Sequence, residues 1–380
     1  MKTKNLIIAT VFFLGSLFIQ SCQKDEIGDN TSENSILPTR FKIDLPSSMS
    51  NEQANLKSAS TLKSASADTL KGNEIYQNLN TFVAVGEGAA DIVQNIIGGI
   101  VLYKINRPMA FPYESKDDNR IKNVVVEENA EYNGKTWKYM LSITDAASET
   151  NTDGGKAMQI FWNPTPIEGI AILKPYNIDR TKDINAPDAI FRIEYSEVAT
   201  SSYDSYMVVD IANLPMPEAN LEPYAIKNMK MFVGKKGDNI DVYGNSDHPN
   251  AKFFTENTGF DWAFVASGSI SKNISAAEVG LPPCKLDNNT RKVLLEDYSI
   301  KNVLTAQINE WFLQYFGIRP NSEDLASYLK NADAPGFFTK DGFLQAGKTP
   351  NDNYTPFVSR ISNLTPYNPK LINELSVNFK

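Results

Sequence analysis

The sequence predicts an α+β fold that is mainly antiparallel β, as a curled sheet, sandwich or barrel, with a helical segment before the strands and helices packed on them afterwards. Apolar residues repeat every three or four positions over about residues 73–100 and 288–331, which indicates helices. Between about residues 100 and 268 they repeat every second position, which indicates strands. No long helical pattern separates these strands, which excludes a parallel α/β sheet.

The first helical segment is predicted over Asn73–Ile100, where Ile75 and Leu79 share an apolar face. Gly86 and Gly88 predict a break into two helices, because glycine weakens helix interiors. We expect this segment to be buried in the core of the protein. Docking of the segment onto a partner is the alternative.

Asn133-Gly134 is the strongest hairpin signal, since both residues adopt the positive φ of a tight turn. It joins strands predicted over Asn123–Tyr132 and Lys135–Thr144. A second hairpin loop is predicted at Lys235–Asn239. Further strands are predicted at Lys156–Trp162, Gly169–Lys174, Ala189–Ser196, Ser205–Ala212, Ile226–Val233, Asn239–Tyr243 and Asp261–Gly268.

An apolar stripe predicts a helix after Asn288 that ends at Gly317, because glycine commonly terminates helices. Ser322-Glu323-Asp324 begins another helix, with acidic residues favouring its N-terminus. After Ala332 the chain is loop-rich, and Leu371–Phe379 is predicted as a last strand. The stripe is expected to pack on the sheet, so that residues 72–380 form a single body.

The chain begins with a segment typical of a secretory signal peptide, predicted over residues 1–21. Lys2 and Lys4 precede Leu6–Ile19, a run of 14 uncharged residues. A helix that spans a bilayer needs about 20 apolar residues. An uncleaved membrane anchor is the alternative.

Ile19-Gln20-Ser21-Cys22 resembles the lipobox of bacterial lipoproteins. The resemblance implies cleavage before Cys22 and attachment of a diacylglycerol and an acyl chain such as palmitate to that residue. Gln23-Lys24-Asp25-Glu26 resembles the export signal of surface lipoproteins of the Bacteroidota. It implies an outer-membrane protein exposed at the cell surface. The alternative is a periplasm-facing anchor followed by a solvated, charged linker.

Residues 22–71 are predicted to form a flexible, lipidated tether, because Ser, Asn, Lys and Glu dominate the segment. Within it, Arg40–Leu45 alternates and could form a strand paired with the body. Asp68-Thr69-Leu70 resembles the O-glycosylation acceptor of Bacteroidota, which implies modification of Thr69. A chance match of so short a motif is the alternative.

The composition excludes several kinds of site. The formal net charge is −8, and removal of Lys2 and Lys4 with the signal peptide makes it −10, which disfavours nucleic acid. Two cysteines and one histidine cannot form a disulfide framework or a Cys/His zinc site. We therefore predict no metal, and the lack of a phosphate-binding glycine loop predicts no cofactor.

His248 and Cys284 are the two residues considered for nucleophilic chemistry. His248 lies in a predicted polar turn, where it either grips a ligand or bonds its own loop. Cys284 is expected to be a half-buried spacer. Paired carboxylates would suit a glycosidase, but the sequence nominates no pair, and Asp117-Asp118 is expected to be solvated.

Aromatic residues could stack on sugar rings. Trp137, Trp262 and Trp311 share apolar faces and are expected in the core. Trp162 ends a predicted strand, so it is the best candidate for an exposed ring, with Tyr176 and Tyr203 as further candidates. Packing of Trp162 in the core or against its loop is nevertheless the favoured interpretation, because most tryptophans in folded proteins are largely buried.

Together these features favour a surface-anchored lipoprotein that binds an extracellular glycan or protein and has no enzymatic activity, since no catalytic set is recognisable. The alternatives are a carboxylate-based glycan hydrolase and a structural subunit of an envelope complex.

Overall fold

The computed structural model of the chain describes residues 36–50, 72–101, 103–181, 186–217, 224–251 and 259–380. These residues divide into two compact units. The first unit contains the described residues up to Ile43, together with Gly88–Pro215 and Ser376–Lys380. The second contains the described residues of Asp44–Glu87 and Met216–Leu375.

The predicted α+β class is confirmed: the described residues form thirteen strands, all paired antiparallel, with one long helix before them and several helices near the end. The first unit holds β1 (Met109–Glu114), β2 (Ile121–Tyr132), β3 (Lys135–Asp145), β4 (Lys156–Pro164), β5 (Ile167–Leu173), β6 (Ile190–Ser196) and β7 (Ser205–Ala212). The second holds β8 (Asn228–Lys236), β9 (Asn239–His248), β10 (Phe260–Ser269), β11 (Ile274–Gly280), β12 (Gly336–Thr339) and β13 (Gly342–Ala346).

Within each unit the strands pair with their neighbours in chain order. Among the described residues no pairing joins the first and last strand of either unit, so neither ladder closes into a barrel. The two hairpin predictions are confirmed. Asn133 and Gly134 have φ of 51° and 71°, and Gly237 between β8 and β9 has φ of 58°.

The helices are α1 (Gly72–Val101), α2 (Pro175–Ile178), α3 (Ile300–Phe316), α4 (Ser322–Tyr328), α5 (Thr355–Ile361) and α6 (Pro369–Asn373), with a π-helical turn at Lys292–Asp297 and 3-10 turns at Ala146–Ser148 and Asp352–Tyr354. The predicted break in α1 is wrong, because the helix continues through both glycines. A Cβ on Gly86 would lie 2.5 Å from Cε of Met231, so this glycine permits close packing rather than ending the helix.

Other corrections concern the two ends of the described chain. Arg40–Leu45 forms no strand, but Phe41 is fully buried and its ring packs against Gly169. The predicted last strand at Leu371–Phe379 is wrong. Pro369 and the Asn368 side chain, which accepts a hydrogen bond from the Lys370 main chain, begin α6 there instead.

The predicted helix after Asn288 is interrupted: a π-helical turn covers Lys292–Asp297, and α3 begins only at Ile300, with Ser299 as its N-cap. The predicted end at Gly317 and the predicted start at Ser322 are confirmed, but α3 does not pack along its whole length. Gly317 ends α3 in the left-handed conformation, and Asn321 caps α4 at Ser322. The fully buried positions of α3 end at Ile308, and Trp311 is 39% exposed. The prediction that Trp311 lies in the core is therefore wrong, whereas Trp137 and Trp262 are buried as expected.

Candidate functional site

Trp162 is not an exposed ring, so the favoured interpretation, packing in the core, is confirmed, and the candidate for ligand stacking is wrong. Strand β4 continues past it to Pro164, and the side chain has no solvent exposure. Its indole Nε1 donates a hydrogen bond to the Ile36 carbonyl oxygen over 2.8 Å, and its ring lies 5.4 Å from that of Tyr139. Trp162 is a core residue of the first unit.

Tyr176 and Tyr203 are half-buried, and they do not form an exposed platform with Trp162. Tyr176 lies in α2, and the guanidinium carbon of Arg180 lies 4.2 Å from the centre of its ring. Tyr203 lies between β6 and β7, where its main-chain N–H donates to the Thr200 hydroxyl. One face of Tyr176 is therefore already taken by a cation of the same unit.

His248 does not lie in a polar turn: it is the last residue of β9 and is fully buried. Since a carbonyl only accepts, Nδ1–H donates to the Tyr224 carbonyl at 2.9 Å, and the Ser246 hydroxyl donates to Nε2 at 2.7 Å. Burial lowers the pKa of His248 to about 4. The imidazole is therefore neutral and bonded to its own surroundings, with Phe82 and Phe260 beside it.

Cys284 is buried rather than half-buried, and burial, with the nearby charges of Asp247 and Asp261, raises the pKa of its thiol to about 11. A thiol with so high a pKa carries little thiolate at neutral pH and is a poor nucleophile. Cys22 and Thr69 lie outside the described residues, so lipidation and glycosylation at these positions stay predictions.

A buried ionic cluster in the first unit was not foreseen. The ammonium of Lys122 on β2 has a side-chain exposure of 1% and contacts Asp118 at 2.8 Å and Asp145 at 3.2 Å. It also donates to the Asn177 carbonyl over 3.0 Å. Lys122 and Asp145 lie directly opposite each other in the β2–β3 pair. The expectation that Asp118 is solvated is wrong, because this loop residue folds back over the buried ammonium.

Two arginines complete this set, which we call the Lys122 cluster (Asp118, Arg120, Lys122, Asp145, Ser148, Arg180). Arg120 Nε donates to Asp145 over 2.9 Å, and Arg180 donates to the Ser148 hydroxyl over 2.8 Å. Burial by itself would raise the pKa of Asp145, but hydrogen bonds from Arg120 and Ser148 and the Lys122 charge hold it well below its usual range. Asp145 is therefore ionised, and its buried negative charge is balanced by Lys122 and Arg120.

Asn177 connects the Lys122 cluster to a surface cleft. Its main-chain oxygen accepts from Lys122, while its side-chain amide donates to the Asp153 carboxylate over 2.9 Å. Asp153 also accepts from Lys174 at 2.6 Å and from the Gly155 main chain at 2.9 Å. Burial would raise the pKa of Asp153, but these donors lower it below its usual value. A charged carboxylate is thereby held in one orientation.

The cleft beside Asp153 has a volume of about 890 Å³. It lies where the β3–β4 loop, the end of β5, the start of β6 and the residue after β7 meet the last residues of the chain. Most of the lining side chains are polar, namely Asn151, Thr152, Asp153, Lys156, Lys174, Asp188, Asn213 and Asn378, and the apolar ones are Ile190, Val377 and Phe379. The volume is within the range of small-ligand sites.

Sequence reasoning missed this cleft for two reasons. The loop Asn151–Gly155 reads as an ordinary turn, and the pattern does not reveal that Asp153 is tied to Lys174. Residues 377–379 reach the cleft from more than 150 positions along the chain, which no local pattern can indicate. The only usable signal was the density of Asn, Asp and Gly in the β3–β4 loop.

The second unit contains a buried carboxylate pair, Asp247 and Asp261, which we call the acid pair. The two residues lie directly opposite each other on β9 and β10, so their side chains share a face. Asn373 donates to Asp247 over 3.3 Å, and Asn245 donates to Asp261 over 3.1 Å. The Oδ1 atom of each carboxylate is buried without a hydrogen-bond partner.

The acid pair is protonated more readily than isolated carboxyls. Burial raises the pKa of Asp247 to about 6. Burial and the neighbouring Asp247 raise the pKa of Asp261 well above its usual range. Both side chains have no solvent exposure, so a polysaccharide could not reach them in this conformation. The pair is therefore not an open glycosidase site.

Comparison with models of known protein families, with curated proteins and with solved structures finds no match. Within the residues that the structure describes, no group of three or more His, Cys, Asp or Glu side chains could hold a metal ion. In the same residues no helix is both long and apolar enough to span a membrane.

Proposed function

We propose that this protein is a lipid-anchored outer-membrane protein, exposed at the cell surface, whose first unit binds an extracellular glycan in the cleft beside Asp153. The observation that carries the proposal is the cleft itself. It combines an oriented carboxylate with amide and hydroxyl side chains in a volume of about 890 Å³. No chemical step on the ligand is part of the proposal.

A glycan fits this lining better than an anionic ligand. Sugar hydroxyls both donate and accept hydrogen bonds, so carboxylates, amides and a Thr hydroxyl can all pair with them. Lys174 is already paired with Asp153, and the protein carries a net charge of −8, which disfavours polyanions. Phe379 adds an apolar surface for a sugar ring.

Glycan binding is testable by titrating the full chain in detergent against a panel of neutral and acidic polysaccharides. Asp188 lines the cleft and is exposed, so Asp188→Asn removes a charged acceptor without removing a buried contact. Loss of one such hydrogen bond should weaken binding about tenfold. Asp204→Asn is the matched control, since Asp204 is an exposed acid of the same unit outside the lining set. Equal affinities for both variants would contradict the assignment of the cleft.

The proposed location at the outer membrane rests on the lipobox and on the charged residues that follow Cys22. Cys22→Ala should abolish incorporation of labelled palmitate, because it removes the thiol to which the diacylglycerol is attached. Protease added to intact cells should digest the wild-type chain if it faces outward. Protection until the outer membrane is broken would favour the periplasm-facing alternative.

A carboxylate-based hydrolase is the second candidate, because the acid pair supplies two carboxyl groups with raised pKa values. Its lack of exposure argues against it. Turnover of any polysaccharide in the panel, lost in Asp261→Asn, would establish this function in place of simple binding. The third candidate, a structural subunit of an envelope complex, would be revealed by crosslinking to a fixed set of partners in intact cells.

A further inference from the structure

The second half of α3 carries an exposed apolar surface in the second unit. We call this surface the aromatic tip (Trp311, Leu313, Tyr315, Phe316, Ile318). The exposed fractions are 39% for Trp311, 45% for Leu313, 66% for Tyr315, 58% for Phe316 and 64% for Ile318. The first half of the same helix is packed inward, with Ile300 and Ile308 only 1% and 5% exposed. The helix therefore leaves the core after Ile308 but stays apolar.

The aromatic tip is ordered by its own ring contacts. Trp311 lies 5.4 Å from both Tyr315 and Phe316, measured between ring centres. Phe312, which is half-buried, contacts Phe316 at 5.4 Å and Tyr328 of α4 at 6.4 Å. Gly317 ends the helix with φ of 70°, donating its N–H to the Leu313 carbonyl. The exposed rings are thus presented on a fixed scaffold.

The apolar surface wraps around the helix rather than forming a stripe. Successive residues of an α-helix are rotated by about 100°, so the exposed positions 311, 315, 316 and 313 span an arc of about 200°, with the half-buried Phe312 inside it. A helix that packs on one protein surface usually shows an apolar stripe about half as wide. An apolar arc of this width suits a medium that surrounds the helix on several sides.

The charges around the aromatic tip favour a lipid surface as the surrounding medium. Between Glu310 and Glu323 the single charged residue is Arg319, although the whole chain carries −8. A cation beside an apolar surface complements the phosphate of a lipid headgroup. Trp and Tyr are the residues enriched at the boundary between headgroups and acyl chains.

We propose that the aromatic tip inserts into the leaflet of a phospholipid bilayer, with Trp311 and Tyr315 at the headgroup boundary and Arg319 facing lipid phosphate. The inference rests on the proposed lipid anchor, which would keep the tip close to a membrane. It goes beyond that anchor by assigning a second, non-covalent membrane contact to the folded part of the chain.

The test is quenching of tryptophan fluorescence by brominated lipid. The full chain is reconstituted into vesicles of phosphatidylethanolamine and phosphatidylglycerol with brominated acyl chains. Of its four tryptophans, Trp137, Trp162 and Trp262 are at most 5% exposed, so bromine can reach only Trp311. We expect a blue shift and a loss of the Trp311 emission, and no change in the Trp311→Phe variant.

Leu313→Glu and Leu344→Glu form a matched pair of variants. The two leucines are 45% and 49% exposed in the same unit, but only Leu313 belongs to the aromatic tip. Leu313→Glu should remove most of the quenching, and Leu344→Glu should retain it. Unquenched Trp311 in wild-type protein held on the vesicles would overturn the proposal. Protection of Trp311 that depends on protein concentration instead of lipid would also overturn it, in favour of a second copy of the chain.

Failure of the anchor is measured separately, by the mass of the N-terminal peptide that carries Cys22. Quenching reports the position of Trp311, whatever holds the chain on the vesicle. A lipidated chain without quenching refutes the aromatic tip and leaves the anchor intact. Quenching in a chain without lipid at Cys22 refutes the anchor and supports the aromatic tip.

Discussion

Each unit contains two ionisable residues placed directly opposite each other on paired antiparallel strands, but the pKa of the aspartate is lowered in one unit and raised in the other. In the first unit Lys122 faces Asp145, and in the second Asp247 faces Asp261. The first pair has opposite charges and gains further donors from Arg120 and Ser148. The second pair has like charges and is lined by amides. Cross-strand position is therefore the same, and the chemical nature of the partner decides the protonation state.

Burial explains why the two sites respond so differently. A buried ion is tolerated when opposite charges and hydrogen bonds replace its water, as they do around Lys122. The acid pair lacks a buried cation of this kind, and each carboxylate has an Oδ1 atom without a partner. Protonation of the acid pair therefore costs less free energy than keeping two buried charges. For this reason the pKa values of Asp247 and Asp261 are raised, whereas that of Asp145 is lowered.

The largest expected effect comes from removing the cation of the Lys122 cluster. Lys122→Met leaves Asp118 and Asp145 buried with less compensation. Breaking a buried ion pair of this kind should lower the free energy of unfolding by about 3–5 kcal/mol. Urea unfolding of the full chain, followed by circular dichroism, measures the change.

The matched control for that variant is Lys135→Met. Lys135 pairs with Glu168 at 2.7 Å, but its side chain is 43% exposed. Exposed pairs contribute about 0–1 kcal/mol, so this variant should unfold almost as the wild type does. Similar losses in the two variants would show that burial is not what distinguishes the Lys122 cluster.

A smaller effect, of opposite sign, is expected for Asp247→Asn. The pKa of Asp247 rises from 3.8 to about 6 on folding, so its stabilising contribution is complete below pH 4 and is lost as the pH rises through about 6. Asparagine stays neutral at every pH. The variant should therefore gain about 3 kcal/mol relative to the wild type between pH 4 and pH 8, from the size of that shift. Urea unfolding at several pH values measures the gain.

Asp145→Asn provides the comparison for the acid-pair variant. The pKa of Asp145 is held below its usual range, so its contribution is present above pH 4 and is lost as the pH falls further. Asparagine at this position should destabilise the protein at neutral pH, where asparagine at position 247 stabilises it. If the free energy of unfolding of wild type and of Asp247→Asn changed with pH in the same way, Asp247 would not have a raised pKa in the folded protein.

The smallest effect is a spectroscopic one at His248. As the single histidine of the chain, it can be followed by nuclear magnetic resonance without ambiguity. Its pKa should be about 4, with the proton on Nδ1 in the neutral form. Asp247→Asn should leave this titration unchanged, because consecutive residues of a strand point to opposite faces. A midpoint near the ordinary value of 6.5 would mean that the ring is not buried.

Much of the secondary structure could be predicted from residues that act locally. Asn133-Gly134 specifies its turn because both residues tolerate positive φ, and Gly317 ends α3 for the same reason. The strand β7 was predicted at its observed bounds, Ser205–Ala212. Strand β1 was missed because it is short and contains Pro112, which ordinarily argues against a strand.

The candidate sites were mostly beyond such prediction. Trp162 was the best candidate for an exposed ring because it precedes Asn163 and Pro164, but it lies between β3 and β5 and its indole bonds the Ile36 carbonyl. Asp118 was expected in solvent, since a run of charges in a loop gives no sign of a buried lysine nearby. The cleft depends on Asp153 and Phe379, which are far apart in sequence.

Strand period, the positions of the tight turns and the end of α3 at Gly317 could be read from neighbouring residues alone, because backbone dihedral preferences are local properties. Which polar groups are buried, which charges face each other and where a cleft opens were decided only by the tertiary structure. Those features depend on strand register and on contacts between residues distant in the chain. The same aspartate side chain is accordingly an ion at position 145 and a proton-binding group at position 247.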